Sequence, residues 1–192
     1  MSTEIVRTRR WTRIEYDRMI DRGIFTPDER LELLGGELVV REPQGTPHAT
    51  GIRMAEEVLR LAFGPGWEVR GQLPVALDDE SEPEPDVTVA PGSFRDYRHA
   101  HPSRPVLIVE VAESSLVLDR ERKGSLYARA GVPEYWIVNL VDRVVEVYRA
   151  PASAPDARYG WRYGTVATLQ PGAFISPLAA PSARVPVAEL LP

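Results

Sequence analysis

The sequence predicts an α/β domain: a central mixed β-sheet with helices packed on it. Three observations carry this. Residues 106–112, VLIVEVA, form a β-branched apolar run that reads as a strand covered on both faces. A helical pattern over about residues 119–130 links that run to a second one, EYWIVNL. Read along the chain, the elements run helix, strand, helix, three strands, helix, two strands, so strands dominate the middle and helices interrupt them.

Each element has its own signal. In RWTRIEYDRMIDR, residues 10–22, Ile14, Met19 and Ile20 recur at helical spacing from a start near Trp11 or Thr12. FTPDERLELLGGELVVRE predicts a turn, a short helical piece ending at Gly35-Gly36, and a strand over 37–42. PQGTPHATGIRMAEEVLRLAFGPG predicts a loop and a helix over about 47–63, with Ile52, Ala55, Val58, Leu59 and Ala62 on its apolar face. Gly64-Pro65-Gly66 stops that helix. WEVRGQLPVAL reads as a strand with an irregularity at its Gly or Pro, DDESEPEP as an acidic loop and PDVTVAP as a short strand. A polar loop, GSFRDYRHAHPSR, holds His99 and His101 and leads into VLIVEVA.

ESSLVLDRERKGSLYARAG then gives a loop and a helix closed by Gly131. EYWIVNL and RVVEVYRA are two strands joined at Val141-Asp142, a hairpin signal. The proline-interrupted remainder adds short extra strands at the C-terminus that finish the sheet. With no internal repeat and no linker, residues 1–192 read as one domain with an N-terminal helical extension over about residues 1–30.

Composition narrows the chemistry. Apolar residues make up 43% and charged residues 27%, ordinary values for a globular chain with a sizeable core. No apolar run nears the roughly 20 residues needed to cross a bilayer, and MSTEIVRTRRWTR lacks the apolar centre of a signal peptide, so a cytoplasmic location and no membrane partner are expected. The absence of cysteine excludes disulfides, thiolate metal sites and cysteine nucleophiles. A net charge of −5 means that nucleic-acid binding must rest on local patches. Of these, Arg7, Arg9, Arg10 and Arg13 in RTRRWTR form the best phosphate-contacting stretch, although such a terminus is usually a solvated tail.

Of 23 basic residues, 22 are arginine and one, Lys123, is lysine. A coding bias toward arginine accounts for the ratio and makes the exception informative, because a compact ammonium does what a planar guanidinium cannot. Lys123 shares a helical stripe with Leu126, Tyr127 and Ala130, which turns it toward the sheet. Glu110 sits inside the apolar strand, where an isolated charge is costly unless it is paired, protonated or bound to metal. Asp86 opens the preceding strand, and adjacent strands bring two such carboxylates together as an oxygen-rich site for magnesium or manganese. Ordinary readings compete: Glu110 salt-bridged to an arginine, Lys123 snorkelling past the core edge or paired with Asp119. The order and spacing of the three together favour an active site.

These residues carry a resemblance. Pro-Asp, a buried Glu on the next strand and then a lysine is similar to the PD-(D/E)XK superfamily, whose members share the restriction-endonuclease-like fold. More closely, LELLGGELV, PHATGIRMAEEVL, PDVTVAP and residues 107–149 resemble a large bacterial family of restriction-type endonucleases, long catalogued as a domain of unknown function. The resemblance implies Asp86 and Glu110 as metal ligands, Lys123 as the catalytic lysine and a Mg2+ or Mn2+ cofactor. It also implies Glu32 as the helix-borne glutamate of the superfamily, with Glu56 and Glu57 as alternatives, and matches His48 to a family histidine. In the superfamily the lysine usually stands two residues after the Glu, where this chain has Ala112. The resemblance places it on the helix instead.

The implied activity is metal-dependent hydrolysis of phosphodiester bonds in nucleic acid, DNA above all, and cutting both strands favours a homodimer. Two rival readings remain: a catalytically inactive binding or regulatory module with the nuclease fold, and a metal-dependent hydrolase of another phosphoester. His99 and His101 read as incidental loop residues.

Overall fold

A computed structural model describes residues 8–26, 28–41 and 43–192. The chain begins with helix α1 (Arg13–Asp21), a hairpin of β1 (Leu31–Leu34) and β2 (Glu37–Val40), and helix α2 (Thr46–Phe63). Strands β3 (Trp67–Gly71), β4 (Val87–Pro91) and β5 (Leu107–Ala112) follow. A π-helical segment (Leu118–Lys123) continues directly into α3 (Gly124–Arg129). Strands β6 (Glu134–Asn139), β7 (Val144–Ser153), β8 (Trp161–Leu169), β9 (Phe174–Ile175) and β10 (Val185–Pro186) complete the chain.

Six strands form one mixed sheet in the order β3-β4-β5-β6-β7-β8. Only β5 and β6 run parallel; every other pairing in that sheet is antiparallel. A parallel pair cannot be closed by a tight turn, and the segment through the π-helix and α3 supplies the crossover. The fold is therefore the predicted α/β arrangement, a central mixed sheet flanked by helices, with extra strands near the C-terminus. Of these only β8 finishes the sheet, while the short β9 and β10 pair with each other in a separate two-stranded sheet.

Alternation along β5 sorts the core into two faces. Leu107, Val109 and Val111 pack against Ile52, Ala55 and Leu59 of α2 and against Val187 and Leu190 from the C-terminal segment. Ile108 and Ala112 face the other way, toward Tyr127, Tyr135 and Tyr163. Glu110 lies between Ile108 and Ala112 in this alternation, so the strand turns it to the α3 side. Close packing holds α2 in place, since a Cβ on Gly51 would stand 3.0 Å from Val111 Cγ1. Among the described residues no helix is long and apolar enough to cross a membrane.

Local signals explain the helix boundaries. Thr12 caps α1 and forms a reciprocal capping box with Glu15, while Arg9 pairs with the same glutamate. Pro47 stands in the first turn of α2, and Gly64 ends it at φ +66°.

Several expectations need correction. LELL is strand β1, not a helical piece, because Gly35-Gly36 takes φ values of +57° and +78° and closes a two-residue hairpin. Leu and Glu favour helix intrinsically, and pairing with β2 overrides that preference. Glu42, the expected last residue of the second strand, lies outside the described residues, as does Arg7. The strand beginning WEVRG stops at Gly71, since Gln72 adopts φ +51° and leaves the ladder. The helix over 119–130 is real in place but π-helical through Lys123.

Candidate active site

Strand register brings the acidic pair together. Val87 of β4 stands opposite Val109 of β5, so Asp86, one residue earlier, falls beside Glu110. The Asp86 backbone N–H reaches Glu110 Oε2 at 3.4 Å, and Asp86 Oδ2 accepts from the Val111 N–H at 2.8 Å. Both side chains are buried, on the same side of the sheet edge.

The crossover brings the lysine. Lys123 Nζ donates to Glu110 Oε1 at 3.0 Å and stands 3.5 Å from Glu32 Oε1. Tyr127, one turn further on, donates its hydroxyl to the same Glu110 oxygen at 2.6 Å. Lys123 is only 5% exposed, so it does not snorkel into solvent, and its partners are Glu110 and Glu32, not Asp119. Glu110 likewise has a lysine partner in place of an arginine.

The N-terminal hairpin and α2 close the site. Glu32 enters from β1, so the expected helix-borne glutamate is strand-borne. The alternatives lie elsewhere: Glu56 pairs with Arg53 and Arg60 along α2, and Glu57 is exposed. His48, in the first turn of α2, places Nε2 3.1 Å from Asp86 Oδ2. His99 and His101 lie outside this pocket and border a separate shallow cavity.

Arg41 is a participant that sequence reasoning missed. Its guanidinium stands 3.1 Å from Glu32, 2.8 Å from Glu84 and 3.5 Å from Asp86, and its side chain is 9% exposed. Asp119, Tyr127 and Glu84 were also missed as members of the cluster. Tyr127 carried a usable signal, its i+4 spacing from Lys123, whereas nothing distinguished Arg41 from the other arginines.

The pocket is small, about 90 Å3, and four carboxylates line it with two permanent cations: Glu32, Asp86, Glu110 and Asp119 against Arg41 and Lys123. The protonation tendencies follow from burial first and from these charges second. Burial pushes the Glu110 carboxyl up; the Lys123 ammonium opposes this, and the charges of Asp86, Asp119 and Glu32 reinforce it. Burial also raises Asp119. Burial would lower Lys123, but Glu110, Glu32, Asp119 and Asp86 more than reverse the effect and hold it above the usual lysine range. For Asp86, the hydrogen bond and charge of His48, the charge of Lys123 and the Val111 N–H outweigh burial and hold the carboxyl low. Positive charge is what the site lacks.

Among the described residues no three His, Asp or Glu side chains are grouped as a ready-made cation cage. Magnesium does not need one: it commonly takes one or two carboxylates and fills its other positions with water and phosphate oxygens. Paired buried carboxylates, all-oxygen donors and a deficit of positive charge fit a hard divalent cation at Asp86 and Glu110.

Comparison with known proteins adds a family and a fold. Residues 14–188 match the family model described as "Uma2: Putative restriction endonuclease". No curated protein matches. Among solved structures, a crystal structure described as a putative nuclease belonging to DUF820 from Anabaena variabilis is similar to the chain, with a TM-score of 0.65 at 15% identity. The similarity covers 94% of this chain and 97% of the other, so the two share one fold over nearly their whole length.

Proposed function

From the premise that the chain belongs to the Uma2 family of putative restriction endonucleases, we propose that it hydrolyses phosphodiester bonds in nucleic acid, DNA in particular, with a divalent cation. The observation that carries this reading is the pocket itself, where the buried carboxylates of Asp86, Glu110 and Glu32 converge with Lys123. A purely structural core has no use for so many like charges at one point, since each must be desolvated.

Asp86 and Glu110 would hold the cation, and their oxygen donors would suit Mg2+ or Mn2+. When bound, such an ion supplies Lewis-acid polarisation of a phosphate oxygen and a more acidic water. The chain does the rest. Lys123, kept as an ammonium by its carboxylate neighbours, donates to the water or to charge developing on the phosphate. Tyr127 and Lys123 together fix Glu110 in one rotamer by sharing its Oε1. Glu32 orients Lys123 from the far side, and its Oε2 accepts from the Glu84 backbone N–H at 3.2 Å. His48 positions Asp86 through its Nε2 contact. Cutting both strands of a duplex calls for two such sites, which makes a homodimer the natural working form.

A second reading, a nuclease-fold binding module without activity, draws support from Arg41, whose guanidinium already spans Glu32, Glu84 and Asp86. A cleavage assay on plasmid DNA in Mg2+, in Mn2+ and in EDTA separates the two. Cutting that needs metal and drops at least a hundredfold in Glu110→Ala supports the nuclease. Binding without cutting in either metal supports the module.

A further inference from the structure

A cavity of about 750 Å3 does not belong to the carboxylate pocket but adjoins it. The π-helical segment separates the two: Asp119 and Lys123 line the pocket, Arg120 and Arg122 line the cavity, and Leu118 lines both. Tyr148, Tyr163 and Trp161, contributed by β7 and β8, make an aromatic wall. Val117 and Val166 at its mouth are 67% and 54% exposed, so this apolar surface meets solvent instead of being covered by the described chain.

The rim carries guanidinium groups and carboxylates together, Arg120, Arg122, Arg158 and Arg162 with Glu121 and Asp156. Arg120, Arg158 and Arg162 line the cavity with side chains about half exposed, and each holds a carboxylate partner: Glu146, Glu37 and Asp156 respectively. In a chain of net charge −5 this is a notable concentration of guanidinium beside aromatic surface. Arg9 and Arg10 of the N-terminal stretch pair with Glu15 and Glu80, and neither lines the cavity. Aromatic faces next to guanidinium groups are how proteins hold unpaired bases: the rings stack on the base and the cations meet the backbone phosphates.

We infer that this cavity receives an unpaired nucleobase of the strand whose backbone crosses Leu118 into the carboxylate pocket. The inference rests on the nuclease reading for the identity of the ligand, and it deepens that reading by giving the substrate an unpaired nucleotide beside the scissile bond. Trp161, 37% exposed, is the stacking surface most open to an incoming base.

The test is fluorescence anisotropy in EDTA, where no cutting occurs, with three labelled probes: a paired duplex, the same duplex with one bulged nucleotide, and a single strand. Wild type is expected to prefer the bulged and single-stranded probes. Trp161→Ala should weaken those two by about tenfold or more while leaving the paired duplex unchanged, and Trp161→Phe should keep the preference. Equal affinity of wild type for all three probes, a uniform loss in Trp161→Ala, or a change in its oligomeric state at the same concentration overturns the inference. Cleavage of the same probes in Mg2+ keeps the two claims apart. Cutting without any preference leaves the nuclease and removes the base site. A Trp161-dependent preference without cutting leaves the base site and removes the nuclease.

Discussion

Lys123 sits where a change of shape at constant charge is most informative. It is the only lysine among 23 basic residues, it is buried, and it contacts Glu110 and Glu32 at once. Lys123→Arg keeps the charge but brings a wider, planar group into a pocket of about 90 Å3. Overpacking of this kind costs about 1–3 kcal/mol, which leaves a folded protein. Catalysis suffers more, because a guanidinium cannot present one compact donor at the same point; the expected loss in cleavage rate is about a hundred- to a thousandfold. Rates measured well below the variant's melting temperature check this. If Lys123→Arg cuts as fast as wild type, the lysine is not catalytic.

At the scale of elements, the β1–β2 hairpin delivers Glu32 to the site and ends beside Arg41, and its turn is tightly enclosed. Gly35 has φ +57°, and a Cβ there would collide with the ring of Tyr159, whose hydroxyl donates to the Leu34 carbonyl at 3.2 Å. Gly35→Ala should therefore cost about 1–3 kcal/mol, combining left-handed strain with displacement of that ring. Gly160 offers the control: its φ is +74°, but a Cβ there would meet nothing within 4 Å, so Gly160→Ala should cost less. Denaturant melts compare the two, and equal losses would mean that the Tyr159 contact does not matter. This hairpin is also where the sequence misled. LELL carries residues that favour helix, and two glycines close a hairpin as readily as they end a helix, so only pairing with β2 decides. The Asp86, Glu110 and Lys123 cluster was legible because strand alternation and helical spacing are local. Arg41 was not, because its importance comes from three carboxylates brought together by β1 and the loop before β4.

Taken whole, the molecule is a mixed sheet that gathers charge at one point. β4 and β5 set Asp86 beside Glu110, the parallel crossover returns Lys123, and the hairpin adds Glu32. Four carboxylates around two permanent cations favour a further positive charge, and a ligand that binds only the folded state raises its stability by mass action. The most direct measurement is the melting temperature in Mg2+ or Mn2+ set against EDTA, for wild type, Asp86→Asn and Glu110→Gln. A cation at a concentration of about 100 times its dissociation constant adds about 2.7 kcal/mol, roughly 5–10 °C for a domain of this size. Wild type is predicted to rise by that order, while both variants fold and show no rise. A metal-induced rise that survives in both variants would contradict the account and place the cation elsewhere.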